Sequence, residues 1–323
     1  MPAMPDRPAP CLLTDPFQPT GPRLPMAAPL ALPARTALMV VGDVHGQRAA
    51  FEAVLRRFAR IPTPGARRHL VLLGDLIDRG PDSLGCLALG MEDAADMAGA
   101  DAITHLPGNH ELMLADALDA VRRVGGAGLN YDDRDTVECW LYNGGMEVID
   151  EALGRERGNI RAAMAALDDA LTERFGDLVA RIRTWPSHLR LGNVLAVHAG
   201  LDPRQPQADF LAMAQAGHRT GGGRHWAWIR DPFLRHQGGW PADGMAADAT
   251  APGNLVLHGH TVPRKLEFRG LRDEDDLRLV LDRSETNARL CLDGGAARRR
   301  GVAGAVMAGE TVRLAWAPCG VMG

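Results

Sequence analysis

Lysine is almost missing from this sequence: of 36 cationic side chains one is lysine, Lys265, and the others are arginine. Base composition of the source genome accounts for part of this, because alanine and glycine are also abundant, and the bias alone implies no function. Arginine is nevertheless the better residue for two-pronged contacts to phosphate. Cysteine is sparse as well. Cys11, Cys86, Cys139, Cys291 and Cys319 are odd in number, far apart and never in a C-x-x-C pair. That excludes a disulfide framework and a zinc ribbon. It fits a reducing cytoplasm, with the thiols acting as small buried hydrophobes. No uncharged apolar run reaches the length of a membrane-crossing helix. Positive charge is not in excess: the formal net charge is −4 and the isoelectric point is near 6.3. A protein that wraps nucleic acid is expected to be basic. No internal repeat is visible.

What is present is ordinary globular composition, 46% hydrophobic and 24% charged over 323 residues. That length suits two domains or one large α/β domain, and a core of this size needs no staples. Residues 1–35 are proline-rich, which forbids a helix and predicts no fixed structure there. Residues 25–34 are apolar but broken by proline, and they lead straight into the first strand, so a secretory signal is not expected. Met26 is an alternative start.

Hydrophobic patterning then alternates. Residues 36–41 are a short apolar run ending in Gly-Asp, as a buried strand would. Residues 47–60 carry Phe51, Val54, Leu55 and Phe58 on one helical face. A second strand at 69–73 again ends in Gly-Asp. A helix follows at 82–89 with Asp82 as its cap, then a third strand at 102–106 and a helix from 110 to 121. This β-α-β-α-β-α order predicts a largely parallel sheet. Residues 115–187 read as a helical insert with a glycine break at 125–128. Strands are expected at 189–197, 255–257, 277–281 and 289–292 and around Gly309-Glu310, making the second half β-rich and more antiparallel. Loops rich in Gly, Pro and Ala at 217–223 and 238–253 flank a tryptophan-rich patch.

Chemistry concentrates at the strand ends. They read Gly42-Asp43-Val44-His45-Gly46, Gly74-Asp75-Leu76-Ile77-Asp78-Arg79-Gly80, Gly108-Asn109-His110-Glu111, His198-Ala199-Gly200 and His258-Gly259-His260-Thr261. Open α/β sheets bind ligands beyond the carboxyl ends of their strands, so these loops are expected to converge. Carboxylate, amide and imidazole together suit a pair of divalent first-row metals. A lone Gly-Asp is usually a turn and a lone histidine usually structural. Five such sites, the first three 32 and 34 residues apart as successive β-α units are, are not explained that way.

The three motifs GDVHG, GDLIDRG and GNHE, with two later histidine motifs, resemble the calcineurin-like metallophosphoesterases, and within them the bacterial type of the phosphoprotein phosphatase (PPP) group. The resemblance runs from residue 42 to about 261. It implies an α/β fold built as a two-sheet β-sandwich flanked by helices (α/β/β/α) with a helical insert, and a single domain over 36–318. It implies two divalent metal ions, Mn²⁺ first, with Fe or Zn as alternatives. Asp43, His45 and Asp75 would hold one ion, and Asp75, Asn109, His198 and His260 the other, with Asp75 shared. Two such ions activate a hydroxide for attack on phosphorus. Arg79 and Asn109 would contact phosphate. His110 would be the general acid, with Asp78 at its other ring nitrogen. A second phosphate arginine is expected between the late histidines. Arg230, in Trp226-Ala-Trp228-Ile-Arg230, fits best, with Arg224 and Arg204 as rivals. Trp226, Trp228 and Trp240 would either wall the groove or pack the core. Val262 stands where many nucleases of the superfamily carry a second histidine, which favours the PPP pattern. His258 would pack behind the site or reach its edge. Arg298-Arg299-Arg300 is a solvated turn or a basic contact for RNA.

The substrate expected on this resemblance is phosphoserine or phosphothreonine in a protein. The alternative is a symmetrical dinucleoside tetraphosphate, or another phosphorylated small molecule. Symmetrical tetraphosphatases typically read GDLxARGP and GNHD, whereas Asp78 and Glu111 stand here. Some bacterial enzymes with the DRGPDS form nevertheless cleave dinucleoside polyphosphates. The run 106–113 and Trp140-Leu-Tyr-Asn-Gly-Gly145 also resemble bacterial PPP phosphatases. A non-catalytic metal-binding scaffold would need a missing ligand or acid, and none is missing. No membrane partner and no nucleic-acid partner are expected. The sequence leaves the oligomeric state open.

Overall fold

Alternation within β1 (Thr36–Val41) decides the layering. Leu38 and Val40 point into a hydrophobic layer shared with a second sheet, while Met39 and Val41 point to the helices on the other face. This is the two-residue period of a strand buried on both sides. The computed structural model describes residues 30–124, 129–155, 158–216, 218–219, 223–236, 240, 254–262 and 288–320. The expected strand at 277–281, the glycine break at 125–128 and most of the loop at 238–253 lie outside the described residues.

The first sheet has the order β3-β2-β1-β8-β9. β1 pairs in parallel with β2 (Arg67–Leu72), and β2 with β3 (Ala102–His105). β8 (Gly301–Ala308) runs antiparallel to β1 and to β9 (Thr311–Pro318). The second sheet has the order β4-β5-β6-β7. The apolar stretch at 189–197 is not one strand. It is a hairpin of β4 (His188–Leu191) and β5 (Val194–Val197), turned at Gly192 with φ 60° and Asn193. β6 (Leu255–His258) and β7 (Arg289–Cys291) then add in parallel. Among the described residues the second half is therefore mixed, and more antiparallel than the first, as expected. Leu38, Val40, Val71 and Leu73 meet Val194, Ala196, Leu255 and Leu257 between the sheets, all buried.

Helices cover the outer faces. α1 (Arg48–Arg60) buries Phe51, Val54, Leu55 and Phe58, the stripe its sequence pattern predicts. α2 (Ser83–Ala88) is capped by Asp82, which accepts from the Gly85 amide at 2.9 Å. It runs through a π-helical turn into α3 (Ala94–Ala98). α4 (Asn109–Val124) carries site residues at its start and becomes the first helix of the insert. α5 (Tyr131–Trp140), α6 (Met146–Leu153), α7 (Ile160–Phe175) and α8 (Leu178–Thr184) complete the insert, and the short α9 (Gln207–Leu211) follows β5. No helix among the described residues is long and apolar enough to cross a membrane.

The end of the proline-rich segment departs from expectation. The Ala31 amide donates to Asn193 Oδ1 at 2.8 Å, and the Asn193 amide donates back to the Ala31 carbonyl at 3.1 Å. Residues 30–35 are thereby tied to the β4–β5 hairpin. Both sheets share one interior, and the site residues come from both.

Candidate active site

Strands β1, β2 and β3 run parallel in one sheet, and β5, β6 and β7 in the other. The loops after their carboxyl ends carry Asp43 and His45, then Asp75, Asp78 and Arg79, then Asn109 and His110, then His198, His260 and Asp293. They enclose a cleft of about 310 Å³ lined by Asp43, His45, Asp75, Asn109, His110 and His260. Arg79, Arg230 and Arg298 lie along it, and Asn143, Trp228 and Asp293 complete its walls. His198 is fully buried behind the cleft.

Left-handed backbone is concentrated here. His45, Asp75, Asp78, Arg79 and His260 have φ between 45° and 70°, five of the eight non-glycine residues with positive φ among those described. Each costs on the order of 1–2 kcal/mol, and such strain gathers at functional sites. Two glycines make room. A Cβ on Gly108 would sit 2.1 Å from Asp75 Oδ1, and one on Gly259 would sit 2.0 Å from Asp43 Oδ1.

The donor atoms converge in two groups that share Asp75. His45, Asp75 and His110 offer atoms within 4.8 Å of one another, as do Asp75, His198 and His260. Asp43 Oδ2 lies 3.9 Å from His45 Nε2, so Asp43 borders the first group, which also draws in His110. Asn109 Oδ1 lies 2.8 Å from His260 Nδ1 and 3.1 Å from His198 Nε2.

Tautomers show that this set suits cations. His198 Nδ1 can only donate to the Leu73 carbonyl at 2.8 Å. The Nε2 of the neutral ring is then a lone pair facing Asp75 Oδ2 at 3.4 Å and Asn109 Oδ1. Burial favours the neutral ring, but Asp75 and then Asp43 overcome it and push His198 up to about 9. Either a proton or a metal ion satisfies that arrangement. His45 repeats it, with Nδ1 donating to the Ile77 carbonyl at 3.0 Å and Nε2 3.6 Å from Asp75 Oδ2. Here burial and the neighbouring His110 pull the imidazole down to about 3, so the ring stays neutral as a metal ligand must. His260 is held well below the usual range by burial and by His198, and its Nε2 is buried without a hydrogen-bond partner among the described residues. Burial, Asp293 and Asp75 raise the Asp43 carboxyl. Burial also raises Asp75, but His198 and His110 outweigh it and hold the carboxyl well below its ordinary range. The residues present fit two cations.

Beside this set stands a dyad. His110 Nδ1 and Asp78 Oδ2 are 2.6 Å apart, both buried. The Trp140 indole N–H donates to both Asp78 oxygens at 3.1 Å. Burial raises the Asp78 carboxyl, and the bonds from His110 and Trp140 oppose that. Trp140 comes from α5, so the insert completes the dyad. It also supplies Asn143, whose carbonyl accepts from Arg79 Nε at 3.0 Å.

Sequence reasoning gave no role to Trp140, Asn143 or Asp293. The tryptophan-asparagine-glycine run at 140–145 was the available signal for the first two. Glu111 proves to be a brace. Its carboxylate accepts from the amides of Asp75 at 2.7 Å, Leu76 at 2.7 Å and Gly108 at 2.9 Å, and it is fully buried outside the cleft. Of the arginine rivals, Arg204 is forked onto Asp202 at 2.9 and 2.8 Å, and Arg224 does not line the cleft. Arg230 does, and its guanidinium has no hydrogen-bond partner among the described residues. Trp226 and Trp240 are buried in the core, leaving Trp228 as the tryptophan on the wall. His258 packs edge-on against Phe233, with ring centroids 4.9 Å apart. Arg298 lies on the cleft rim, not merely in a solvated turn.

The model of the calcineurin-like phosphoesterase family matches residues 36–264, which include every one of these ligand candidates. The chain belongs to that family. This calcineurin-like phosphoesterase is 39% identical over 106 residues to the serine/threonine-protein phosphatase 1 of Salmonella typhimurium, covering 33% of this chain and 38% of that protein. It is 36% identical over 184 residues to a symmetrical bis(5'-nucleosyl)-tetraphosphatase of Acidovorax, covering 55% of this chain and 49% of that one. The phosphoesterase spans less than two thirds of the length of these relatives. A crystal structure described as a putative diadenosine tetraphosphatase aligns over 91% of this chain and 100% of its own, at 18% identity and a TM-score of 0.43.

Proposed function

We propose that this phosphoesterase is a two-metal hydrolase of phosphoserine and phosphothreonine in proteins. The observation that carries this reading is the buried Asp78–His110 pair, capped by Trp140, at the edge of a cleft lined by metal-donor side chains and arginines. Asp43, His45 and Asp75 would hold one ion, and Asp75, Asn109, His198 and His260 the other, with Mn²⁺ as the working choice and Fe or Zn as alternatives. Two ions bound there would supply an acidified water and neutralise charge in an in-line displacement.

The chain's own groups do the rest. Arg79 is anchored through Nε to Asn143, leaving the outer face of its guanidinium for phosphate oxygens. Arg230 meets the same phosphate from the other half of the chain, and Asn109 steadies it. His110 keeps Nδ1 on Asp78, so Nε2 is the atom that hands a proton to the leaving serine or threonine oxygen. Asp78 orients the ring and balances the charge of its protonated form. The acid matters most for an alkoxide, a poor leaving group. That ties the dyad to phosphomonoesters of alcohols.

A second reading, hydrolysis of dinucleoside polyphosphates, is favoured by the relatives named for that activity and by Arg298, a third cation along the cleft. The deciding experiment gives Mn²⁺-supplied protein a phosphoserine peptide and diadenosine tetraphosphate under one condition. At least tenfold higher kcat/KM for the peptide is expected. The reverse ratio overturns the protein-phosphatase reading in favour of the second.

A further inference from the structure

Trp228 is half-buried on the cleft wall, with its ring edge-on to His260 at 5.9 Å between centroids and 81° between planes. Its indole N–H does not point into the cleft. It donates to His218 Nδ1 at 2.5 Å, with the two rings within 11° of coplanar. His218 is buried, and because Nδ1 accepts, the neutral ring must carry its proton on Nε2. Nε2 lies 3.3 Å from Asp116 Oδ2, a charge contact that falls outside hydrogen-bond geometry. Asp116 belongs to α4. Its other oxygen is bound by Arg183 of α8, which also reaches Asp119 at 3.0 Å. The neighbouring His225 is occupied elsewhere, with Nε2 on the Ala214 carbonyl and Nδ1 accepting from the Ala227 amide.

Helix α4 therefore does two things. Its first turn holds Asn109 and His110, and two turns on, about 10 Å along the axis, Asp116 anchors the chain of contacts that ends on Trp228. We infer that Asp116 and His218 are positioning residues through which the helical insert sets the orientation of Trp228, and that Trp228 is the surface on which the substrate group beyond the phosphate rests. An indole free to bond water could turn about its side-chain torsions. One bonded to a buried imidazole of fixed tautomer cannot. The inference rests on reading the cleft as a phosphoester site.

Steady-state kinetics on Mn²⁺-supplied protein test it, with a phosphoserine peptide and with p-nitrophenyl phosphate. His218→Ala should raise KM for the peptide roughly fivefold, the size of one net hydrogen bond, with kcat changed less than about twofold. p-Nitrophenyl phosphate, which offers the wall less surface, should respond less. His218→Asn, whose amide oxygen can stand where Nδ1 was, should restore most of the affinity. Trp228→Phe should raise KM to a similar degree, and adding His218→Ala to it should raise KM no further, because the shared contact is already gone. Unchanged KM in His218→Ala, multiplying effects in the double variant, or a loss confined to kcat would each overturn the relay. Should His218→Ala fail to fold, Trp228→Phe and Asp116→Asn carry the test, and a wild-type KM in either overturns it. A wild-type protein inactive on both substrates would overturn the phosphoester reading itself, whereas an active one with an unresponsive KM overturns the relay alone.

Discussion

Removing one methylene from Glu111 should damage this protein more than its chemical conservatism suggests. In Glu111→Asp the carboxylate retracts by about 1.5 Å. Its bonds to the amides of Asp75, Leu76 and Gly108, now 2.7, 2.7 and 2.9 Å, would then stretch past hydrogen-bonding range. Each buried N–H left without an acceptor costs about 1–3 kcal/mol. Relaxation at the start of α4 can recover one of the three, and the two that remain leave a loss of about 2–6 kcal/mol. That is a large share of a typical stability of about 5–15 kcal/mol. Glu111→Gln keeps the reach. Its amide oxygen can serve the Asp75 and Gly108 amides and leave only Leu76 opposed, so about 1–3 kcal/mol is expected. Burial and Asp75 raise the Glu111 carboxyl, while the three amide bonds oppose that. Urea unfolding followed by tryptophan fluorescence, in chelator so that metal binding adds nothing, measures both. An unfolding midpoint for Glu111→Asp equal to wild type, or Glu111→Gln worse than Glu111→Asp, would refute this account of the brace.

His110→Asn should lower kcat by about 10²–10⁴-fold for an alkyl phosphate and much less for p-nitrophenyl phosphate, whose leaving group needs no proton, with Mn²⁺ binding by calorimetry retained. An equal loss on both substrates would remove His110 as the acid. Gly259→Ala places a methyl carbon on Asp43 Oδ1, so Mn²⁺ affinity should fall at least tenfold while circular dichroism is unchanged; wild-type affinity would contradict the close approach. Asp116 is held below its ordinary value of 3.8 by His218 and Arg183 against the pull of burial. A carboxyl lowered on folding stabilises above its unfolded pKa and loses that contribution as pH falls through its folded one. Asp116→Asn should therefore be less stable than wild type at pH 7, with the gap narrowing below about pH 4; a gap that widens in acid would be the wrong sign.

Much of the site was readable because its chemistry lies in short contiguous motifs. Each begins where a strand stops, and an apolar run ending in Gly-Asp marks both the element and its edge. The α1 stripe was equally plain. What escaped reading depends on approach between distant segments. Trp140 sits in a recognisable run, but its bond to Asp78 spans 62 residues and no local pattern reveals it, and Asp293 lines the cleft from the second sheet. The hairpin at 189–197 reads as one strand in the sequence because Gly192-Asn193 interrupts an otherwise apolar pattern for only two residues. Asn193 also catches Ala31, so the end of the proline-rich segment is fixed by a side chain 162 positions away. Glu111 carried weight in choosing the substrate, yet it braces the loops from behind and never faces the cleft.

The left-handed residues have a consequence for anyone designing on this backbone. A design procedure given only the main chain would write glycine or asparagine at 45, 75, 78, 79 and 260, where φ is positive. The chain has histidine, aspartate and arginine instead. At those positions the preference of the backbone and the residue present disagree, and that disagreement traces the outline of the cleft without reference to metals, motifs or relatives. Variants that yield to the backbone there should fold more comfortably and do less, so stability selections run on this scaffold will erase its chemistry first.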